Sequence, residues 1–350
     1  MIIEKSMIAP KLAKLKTVIP NKTITESIQG ALFKDNCLSA TNLEVGIKAI
    51  LNVDSDESFI IPARAIDLIE NLPDGQIEIL PENNHSIRIK AKNINNKFQS
   101  YNPEMFPNLD DNVPEITAGK INNKDIEKGI KSVIYAVNNT PVKPILSGIY
   151  FDSTGGKLNI VSCDGFRIAW YKINYENEFK FVVPKETIQK ILSVGITGDI
   201  EIIYNERNAI FKSDEYVIYT RLLEGTYIDY SKMFVKRDNS TIVNKALFMD
   251  AIKRCMFCMD DKNKGTVKLH MIEDRLTLTT NSTISEYVEE IKLEMPIEKE
   301  LAIAFNGAYL LDFLKGFDSE NLELSFGSPS HPLIADDGEQ SALVLPIRLG

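Results

Sequence analysis

The residues whose types and spacing could do chemistry are few and scattered. His85, His270 and His331 have no partner at a recurring separation. Cys255-Met256-Phe257-Cys258 has the C-x-x-C spacing of a metal or redox pair. A structural zinc site needs four ligands, and no second cysteine pair or nearby histidine pair supplies the other two. The pair also falls within an apolar helical pattern, where small buried side chains account for both sulfurs. Gly155-Gly156-Lys157 lacks the G-x-x-x-x-G-K-[ST] spacing of a phosphate loop, and adjacent glycines read as a hairpin turn. G-x-G-x-x-G is absent. Asp164 could act as an acid, but two matching positions elsewhere hold Asn42 and Asn281, so it reads as a turn residue. Nothing points to a Ser/His/Asp arrangement. The chain reads as a protein without a catalytic centre, and no metal or cofactor is expected.

The elements around these residues are more informative. Ile160–Trp170, IVSCDGFRIAW, is two apolar runs joined at Asp164-Gly165. Gly tolerates positive φ and Asp bonds its own backbone, so the stretch predicts a β-hairpin. The same construction occurs as Cys37–Ile47 and Leu276–Val288, with Asn42, Asp164 and Asn281 at the turn, 122 and 117 residues apart. A second marker follows each hairpin, at Phe59–Leu72, Phe181–Leu192 and Leu301–Leu314. There a short apolar strand runs straight into an amphipathic helix. Pro62 and Pro184, matched with Phe305, are expected near the first helical turn, where a fixed φ fits and a missing N–H is harmless. A helix precedes each hairpin, at Ser6–Ile19, Lys124–Val137 and Lys245–Met259; the middle one carries the stripe Ile126, Ile130, Val133, Val137.

Each copy therefore reads helix, about three strands, strand–helix, about three strands, with its two halves alike in element order. The period exceeds that of solenoid repeats, so the copies are full α+β domains. Boundaries fall in polar stretches near Pro114–Lys120 and Arg237–Val243, giving domains 1–119, 120–241 and 242–350. Similar domains joined head to tail generate a ring when the rotation between them closes, and three in an arc would be half of one.

The 350 residues are 44% hydrophobic, with a net charge of −9, which argues against general affinity for nucleic acid but not against a local basic face. The helices are richer in cations than the chain. Lys11, Lys14 and Lys16 share the first; Lys124, Lys128 and Lys131 lie opposite the apolar stripe of the third; Lys185 and Lys190 lie on the fourth, Lys253 and Arg254 on the fifth. Lysines on solvated helix faces are routine taken singly. Segregated positive charge on an acidic chain is what a protein needs to surround a polyanion without sticking to it elsewhere, and lysine contacts to phosphate are independent of sequence. No apolar run approaches the length of a membrane span, the N-terminus lacks a secretory h-region, and four scattered cysteines fit a reducing cytoplasm. Leu343–Leu349, LVLPIRL, is a last strand whose end could line an apolar groove.

Taken together and in chain order, Phe106–Asp110 (FPNLD), Ser162–Ala169 (SCDGFRIA), Leu223–Tyr230 (LEGTYIDY) and Leu345–Leu349 (LPIRL) resemble the bacterial sliding clamps, the β subunits of DNA polymerase III. The resemblance spans essentially the whole chain. It implies three similar domains per subunit and two subunits closed head to tail, with helices lining the hole and sheets outside. It implies a homodimer that encircles duplex DNA and tethers the replicative polymerase, catalysis belonging to the partner. It also implies an apolar cleft that takes peptides from the polymerase, the clamp loader and repair polymerases. By matching position, the cleft walls are Lys143, Leu146, Cys163, Gly165, Phe166, Arg167, Ile168, Ile228, Lys232 and Met233, closed by Leu343, Val344, Leu345, Pro346, Ile347, Arg348 and Leu349. Ile228 stands where the family usually has Pro, Lys143 where it has Arg, and Phe166 where it often has His. Phe257 and Met259, at the end of the fifth helix, are the expected contacts between subunits. The competing readings are a nuclease or nucleotide-processing enzyme on a related tandem fold, which would need a carboxylate cluster, and a specialised clamp paralogue with other partners.

Overall fold

The computed structural model describes residues 1–53, 55–82, 85–109, 116–138, 143–235, 237, 239–259, 265–281 and 285–348. Six times in succession the chain runs through a strand, a helix and a meander of three strands. The first module is β1 (Ile2–Glu4), α1 (Lys5–Lys16), β2 (Gly30–Lys34), β3 (Cys37–Thr41) and β4 (Val45–Ile50). The second is β5 (Phe59–Pro62), α2 (Ala63–Asn71), β6 (Gln76–Glu82), β7 (Ser86–Ala91) and β8 (Ile94–Gln99). The third is β9 (Ile116–Asn122), α3 (Asn123–Val133), β10 (Gly148–Thr154), β11 (Lys157–Cys163) and β12 (Arg167–Asn174). The fourth is β13 (Phe179–Pro184), α4 (Lys185–Val194), β14 (Asp199–Tyr204), β15 (Asn208–Lys212) and β16 (Tyr216–Arg221). The fifth is β17 (Asn239–Asn244), α5 (Lys245–Phe257), β18 (Thr266–Ile272), β19 (Arg275–Asn281) and β20 (Glu286–Lys292). The sixth is β21 (Leu301–Asn306), α6 (Gly307–Lys315), β22 (Asn321–Phe326), β23 (Leu333–Asp336) and β24 (Gln340–Val344).

The leading strand of each module does not pair with its own meander. It crosses to the meander of the neighbouring module: β1 pairs β6 and β5 pairs β2, β9 pairs β14 and β13 pairs β10, β17 pairs β22 and β21 pairs β18. This exchange ties the modules in twos. It explains why the strong sequence period is two modules long and the one-module period weak.

The described chain forms two compact bodies. Met1–Lys124 with Glu186–Leu222 is one; Asp125–Lys185 with Leu223–Gly350 is the other. The first body holds a four-stranded sheet, β1-β6-β7-β8, and an eight-stranded one in which β4 pairs β16. The second holds a four-stranded sheet, β20-β19-β18-β21, and an eight-stranded one in which β12 pairs β24. Every pairing is antiparallel, as meanders demand. Each body thus contains one and a half sequence repeats, because each eight-stranded sheet joins meanders of neighbouring repeats, β4 with β16 and β12 with β24.

The local calls of the sequence are met with small shifts. The stripe Ile126, Ile130, Val133, Val137 is buried throughout, but α3 ends at Val133 and tightens into a 3₁₀ turn, Ile134–Ala136. The first helix stops at Lys16 rather than Ile19, with the Thr17 N–H donating to the Lys14 carbonyl and the Val18 N–H to that of Leu15. Pro62 and Pro184 are the last residues of β5 and β13 and stand just before the helix, not in its first turn. Both strands are sheet edges, where a missing N–H leaves no ladder partner unsatisfied. The third copy uses Asn306 at this point, one residue beyond Phe305, and its side chain accepts from the N–H groups of Ala308 and Tyr309. Gly155 and Gly156, with φ of 61° and 76°, form the tight turn between β10 and β11. Cys255 is buried in the core of α5, where burial pushes its thiol up to about 12. No described helix is long and apolar enough to cross a membrane.

Candidate docking cleft and charged helix faces

The turn between β11 and β12 is built by one carboxylate. Asp164 Oδ1 accepts from the N–H groups of Phe166 (2.9 Å) and Arg167 (3.0 Å), and Gly165 takes φ +93°. This Asx turn fixes where the next two side chains point. Phe166 is exposed, and its ring sits 6.3 Å from that of Tyr309 on α6. Arg167 turns inward and is buried. Its Nε donates to Asp164 Oδ2 (2.9 Å), its Nη1 to Asp312 Oδ2 on α6 (2.9 Å) and its Nη2 to the Tyr135 carbonyl (2.8 Å). The guanidinium also lies 4.2 Å from the Tyr309 ring centroid, a cation–π contact. Burial works against the Arg167 charge, but the bonds to Asp312 and Asp164 outweigh it and raise its pKa.

On the opposite wall, Tyr227–Met233 is pinned by aromatic packing. The Tyr230 ring meets Trp170 edge-on at 5.0 Å and its hydroxyl donates to Asp152 (2.9 Å). The Tyr227 ring stacks on Tyr150 at 4.7 Å. The tyrosines of the LEGTYIDY stretch therefore anchor the wall, leaving Ile228, Lys232 and Met233 to face the space between. Beneath lies an apolar floor that includes Ile145, Leu146, Cys163, Ile168, Tyr230 and Leu343. The Cys163 thiol, held up chiefly by burial, is a poor nucleophile there.

Together these walls enclose a cleft of about 1040 Å³ within the second body. Lys143, Leu146, Cys163, Gly165, Phe166, Arg167, Ile168, Ile228, Lys232, Met233, Leu343 and Leu345 all line it. The terminal run is split by strand alternation. Leu343 and Leu345 face the cleft, while Val344 is fully buried in the core around α5 and α6. The Leu345 N–H donates to the Phe166 carbonyl (2.8 Å), and the Ile347 N–H to that of Ala304 (2.7 Å). That second bond turns the chain end toward β21, and Pro346, Ile347 and Arg348 are not on the cleft wall. Leu349 lies outside the described residues. Val137, Asn138, Asp164, Arg237, Tyr309 and Pro332 also line the cleft. No spacing signalled Tyr309, Arg237 or Pro332, since separate turns and helices bring them in; Asp164 was visible only as a turn residue.

The cationic helix residues are arranged differently. In the first body, Lys11 and Lys14 reach over the Tyr216 ring at 4.8 and 4.9 Å, and Lys11 also pairs with Glu215 (3.3 Å). Lys16 pairs with Asp67, and Lys190 donates to the Thr17 carbonyl (2.6 Å). Lys124 has no ion pair among the described residues, and Lys185 begins α4. In the second body, Lys128 bonds Glu339 (2.9 Å), with Asp318 at 3.5 Å; the Glu339 bond raises its pKa most. Lys131 pairs with Glu127 (2.5 Å) and Lys253 with Asp250 (2.8 Å). Arg254 makes a two-pronged contact to Glu289 on β20 (2.5 and 3.0 Å). Phe257, at the end of α5, is 87% exposed, while Met259 packs against the core. No group of acids, histidines and cysteines that could hold a metal is found among the described residues.

The architecture defines a class, that of tandem-domain α+β proteins built from exchanged meander modules. Profiles of the DNA polymerase III beta subunit match its central domain at residues 120–229 and its C-terminal domain at residues 235–348. The beta sliding clamp of Streptococcus pneumoniae serotype 4 is 26% identical over 97% of this chain and 92% of its own length. That of Bacillus subtilis strain 168 is 24% identical over 99% and 97%. Among crystal structures, the DNA polymerase III subunit beta from Pseudomonas aeruginosa superposes with a TM-score of 0.93 at 20% identity, covering 100% of both chains. The sliding clamp from Bacillus subtilis gives 0.92 at 21% identity, covering 100% of this chain and 99% of its own. The chain belongs to the DNA polymerase III beta subunit family, the beta sliding clamps. Its fold is the α+β DNA clamp fold in three domains, and it is a non-catalytic accessory subunit that confers processivity on DNA polymerase III.

Proposed function

We propose that two copies of this chain close head to tail around duplex DNA, in the cytoplasm, with domains at 1–119, 120–241 and 242–350. The ring would hold the replicative polymerase through a peptide seated in the cleft. The observation that carries the ring is the state of the sheet edges. The third strand of a meander is where half-sheets join: β4 joins β16 and β12 joins β24. In the two four-stranded sheets the corresponding strands are β8 and β20, each at the edge. An edge of unpaired N–H and C=O groups is a template for another strand, and β8 of one copy on β20 of the next repeats the join made twice within the chain. Phe257 and Val288, both exposed beside β20, supply apolar surface to such a contact.

The six helices, net positive in sum on an acidic chain although α2 is net negative and α6 neutral, support a sequence-independent hold on the duplex. Lys14 and Lys124, without a carboxylate partner among the described residues, are its first contacts. Lys128, Lys131, Lys253 and Arg254 contribute once phosphates compete with their present acids; Lys11, Lys16, Lys185 and Lys190 complete the set. The clamp loader and repair polymerases would share the cleft in turn.

The test is topological. The protein loaded on nicked circular DNA should stay through gel filtration at moderate salt and leave within minutes once the circle is cut. The Phe257→Asp variant should not be retained on either form. Equal loss of the unmodified protein from circle and line would overturn the reading.

A further inference from the structure

One wall of the cleft hangs on a carboxylate that lies off the cleft itself. Tyr230 is buried in the floor, and its backbone serves both apolar neighbours that face the space. The Tyr230 N–H donates to the Ile228 carbonyl (2.9 Å), and the Met233 N–H donates to the Tyr230 carbonyl (3.0 Å). The Tyr230 hydroxyl donates to Asp152 Oδ2 (2.9 Å). Asp152 is buried on β10 and is not a lining residue. Its Oδ1 accepts from Thr154 Oγ1 (3.1 Å) and lies 3.3 Å from Nζ of the exposed Lys180. Its backbone carbonyl accepts from Asn159 Nδ2 (2.8 Å), and Asn159 Oδ1 accepts from Trp170 Nε1 (2.8 Å). Asp152 therefore fixes both rings of the Tyr230–Trp170 contact, one by its carboxylate and the other through its backbone and an amide. Apolar contact is non-directional and lets rings slide. A hydrogen bond at the tip of the ring is directional and stops them.

We infer that Asp152 is a positioning residue for polymerase docking: through Tyr230 it presets Ile228 and Met233 on the cleft wall. This rests on the reading of the cleft as a peptide site. A wall ordered in advance spares the complex the cost of ordering it on binding, and loss of that order shows as faster dissociation. The acceptor matters more than the charge, since the exposed Lys180 contributes little as an ion-pair partner.

The probe is the catalytic subunit of DNA polymerase III, titrated against the full-length clamp by surface plasmon resonance. Asp152→Ala and Tyr230→Phe should each raise Kd about fivefold, the scale of one net hydrogen bond, through koff with kon unchanged. The double variant should bind no more weakly than either single one, because both remove the same bond. Asp152→Asn keeps an acceptor for the hydroxyl and should stay within about twofold of the unmodified protein, as should Lys180→Gln. Tyr230→Phe keeps the ring and its packing, so the measurement stands even where Asp152→Ala fails to fold. Denaturant unfolding of the same variants separates positioning from bulk stability. An Asp152→Ala protein that unfolds earlier but binds the polymerase unchanged overturns the inference; so do additive single effects, or an Asp152→Asn as weak as Asp152→Ala. Met233→Asp distinguishes the two failures. If it abolishes polymerase binding while Asp152→Ala and Tyr230→Phe leave Kd unchanged, the peptide site stands and only the positioning fails. If the polymerase binds regardless of Met233, the reading of the cleft falls and the inference with it.

Discussion

The turn between β3 and β4 in the first body and the turn between β11 and β12 in the second are the same device with opposite outcomes. Asn42 Oδ1 accepts from the N–H groups of Glu44 (3.0 Å) and Val45 (2.8 Å), as Asp164 does from Phe166 and Arg167. The next residue has positive φ in both, Leu43 at 78° and Gly165 at 93°. Past the turn the copies part. Where Arg167 gathers Asp164, Asp312 and the Tyr135 carbonyl, the first copy has a buried Val45. Where Ile168 forms cleft floor, the first copy has Gly46, and the space a Cβ would occupy is taken by Leu109, 2.9 Å away. In the first copy Leu109 fills the corresponding space; in the second the space is left open and propped by an ionic strut. The open cleft of the second copy thus differs from its counterpart by one withheld side chain and one added ion pair, Asp164 with Arg167.

Breaking the strut should have the largest effect. Arg167→Met leaves the half-buried Asp164 carboxylate without its counter-charge, and should cost about 3 kcal/mol, at the low end for a broken buried pair because Asp312 is partly in water. The lone tryptophan, Trp170 on the same strand, reports that loss in denaturant unfolding, and peptide affinity should fall with it. Val45→Ala in the first copy should cost only about 1–2 kcal/mol, the loss of buried methyl groups. Equal costs at the two positions would mean that Arg167 is ordinary packing and the comparison empty.

A middle-sized effect is expected where the first copy fills itself. Gly46→Ile puts a branched side chain where Leu109 lies, so Leu109 must swing into solvent. Its lost burial, about 1–2 kcal/mol, is partly offset by the new Ile in a strand, where β-branching is favoured. Unfolding should change by less than about 1 kcal/mol, while protease sensitivity around Leu109 rises. A large destabilisation would show that Leu109 has nowhere to go and that the groove of the first copy is core.

Much of this was legible in the residues, and the reason differs by feature. Hairpins, strand–helix junctions and the threefold period rest on local signals: turn residues, alternating apolar positions and the stripe of α3. The leading strands β1, β9 and β17 were not legible, because three to seven residues that pair far along the chain leave no periodicity of their own. Nor was the exchange of leading strands, which is a choice of partner. In the cleft, the residues of SCDGFRIA and Tyr227–Met233 came from contiguous motifs. Arg237, Tyr309 and Pro332 arrive by packing, and the separation of Val344 from Leu343 and Leu345 depends on the register of β24 against β12, which alternation alone does not give.

The smallest effect tests whether the charge of Asp164 belongs to the turn or to the strut. Asn42 demonstrates that an amide oxygen serves this turn, so Asp164→Asn should keep both backbone bonds and the hairpin. What it loses is the ionic character of the bond to Arg167 Nε, about 0.5 kcal/mol, since Asp312 still holds the same guanidinium. In an Arg167→Met background the sign should reverse: the carboxylate is then stranded, and replacing it with an amide relieves burial of an unpaired charge. The double variant should therefore be at least as stable as Arg167→Met alone, a positive coupling readable in a double-mutant cycle. If Asp164→Asn costs the same with and without Arg167, the carboxylate acts on the backbone alone, and the two turns differ only in what covers them.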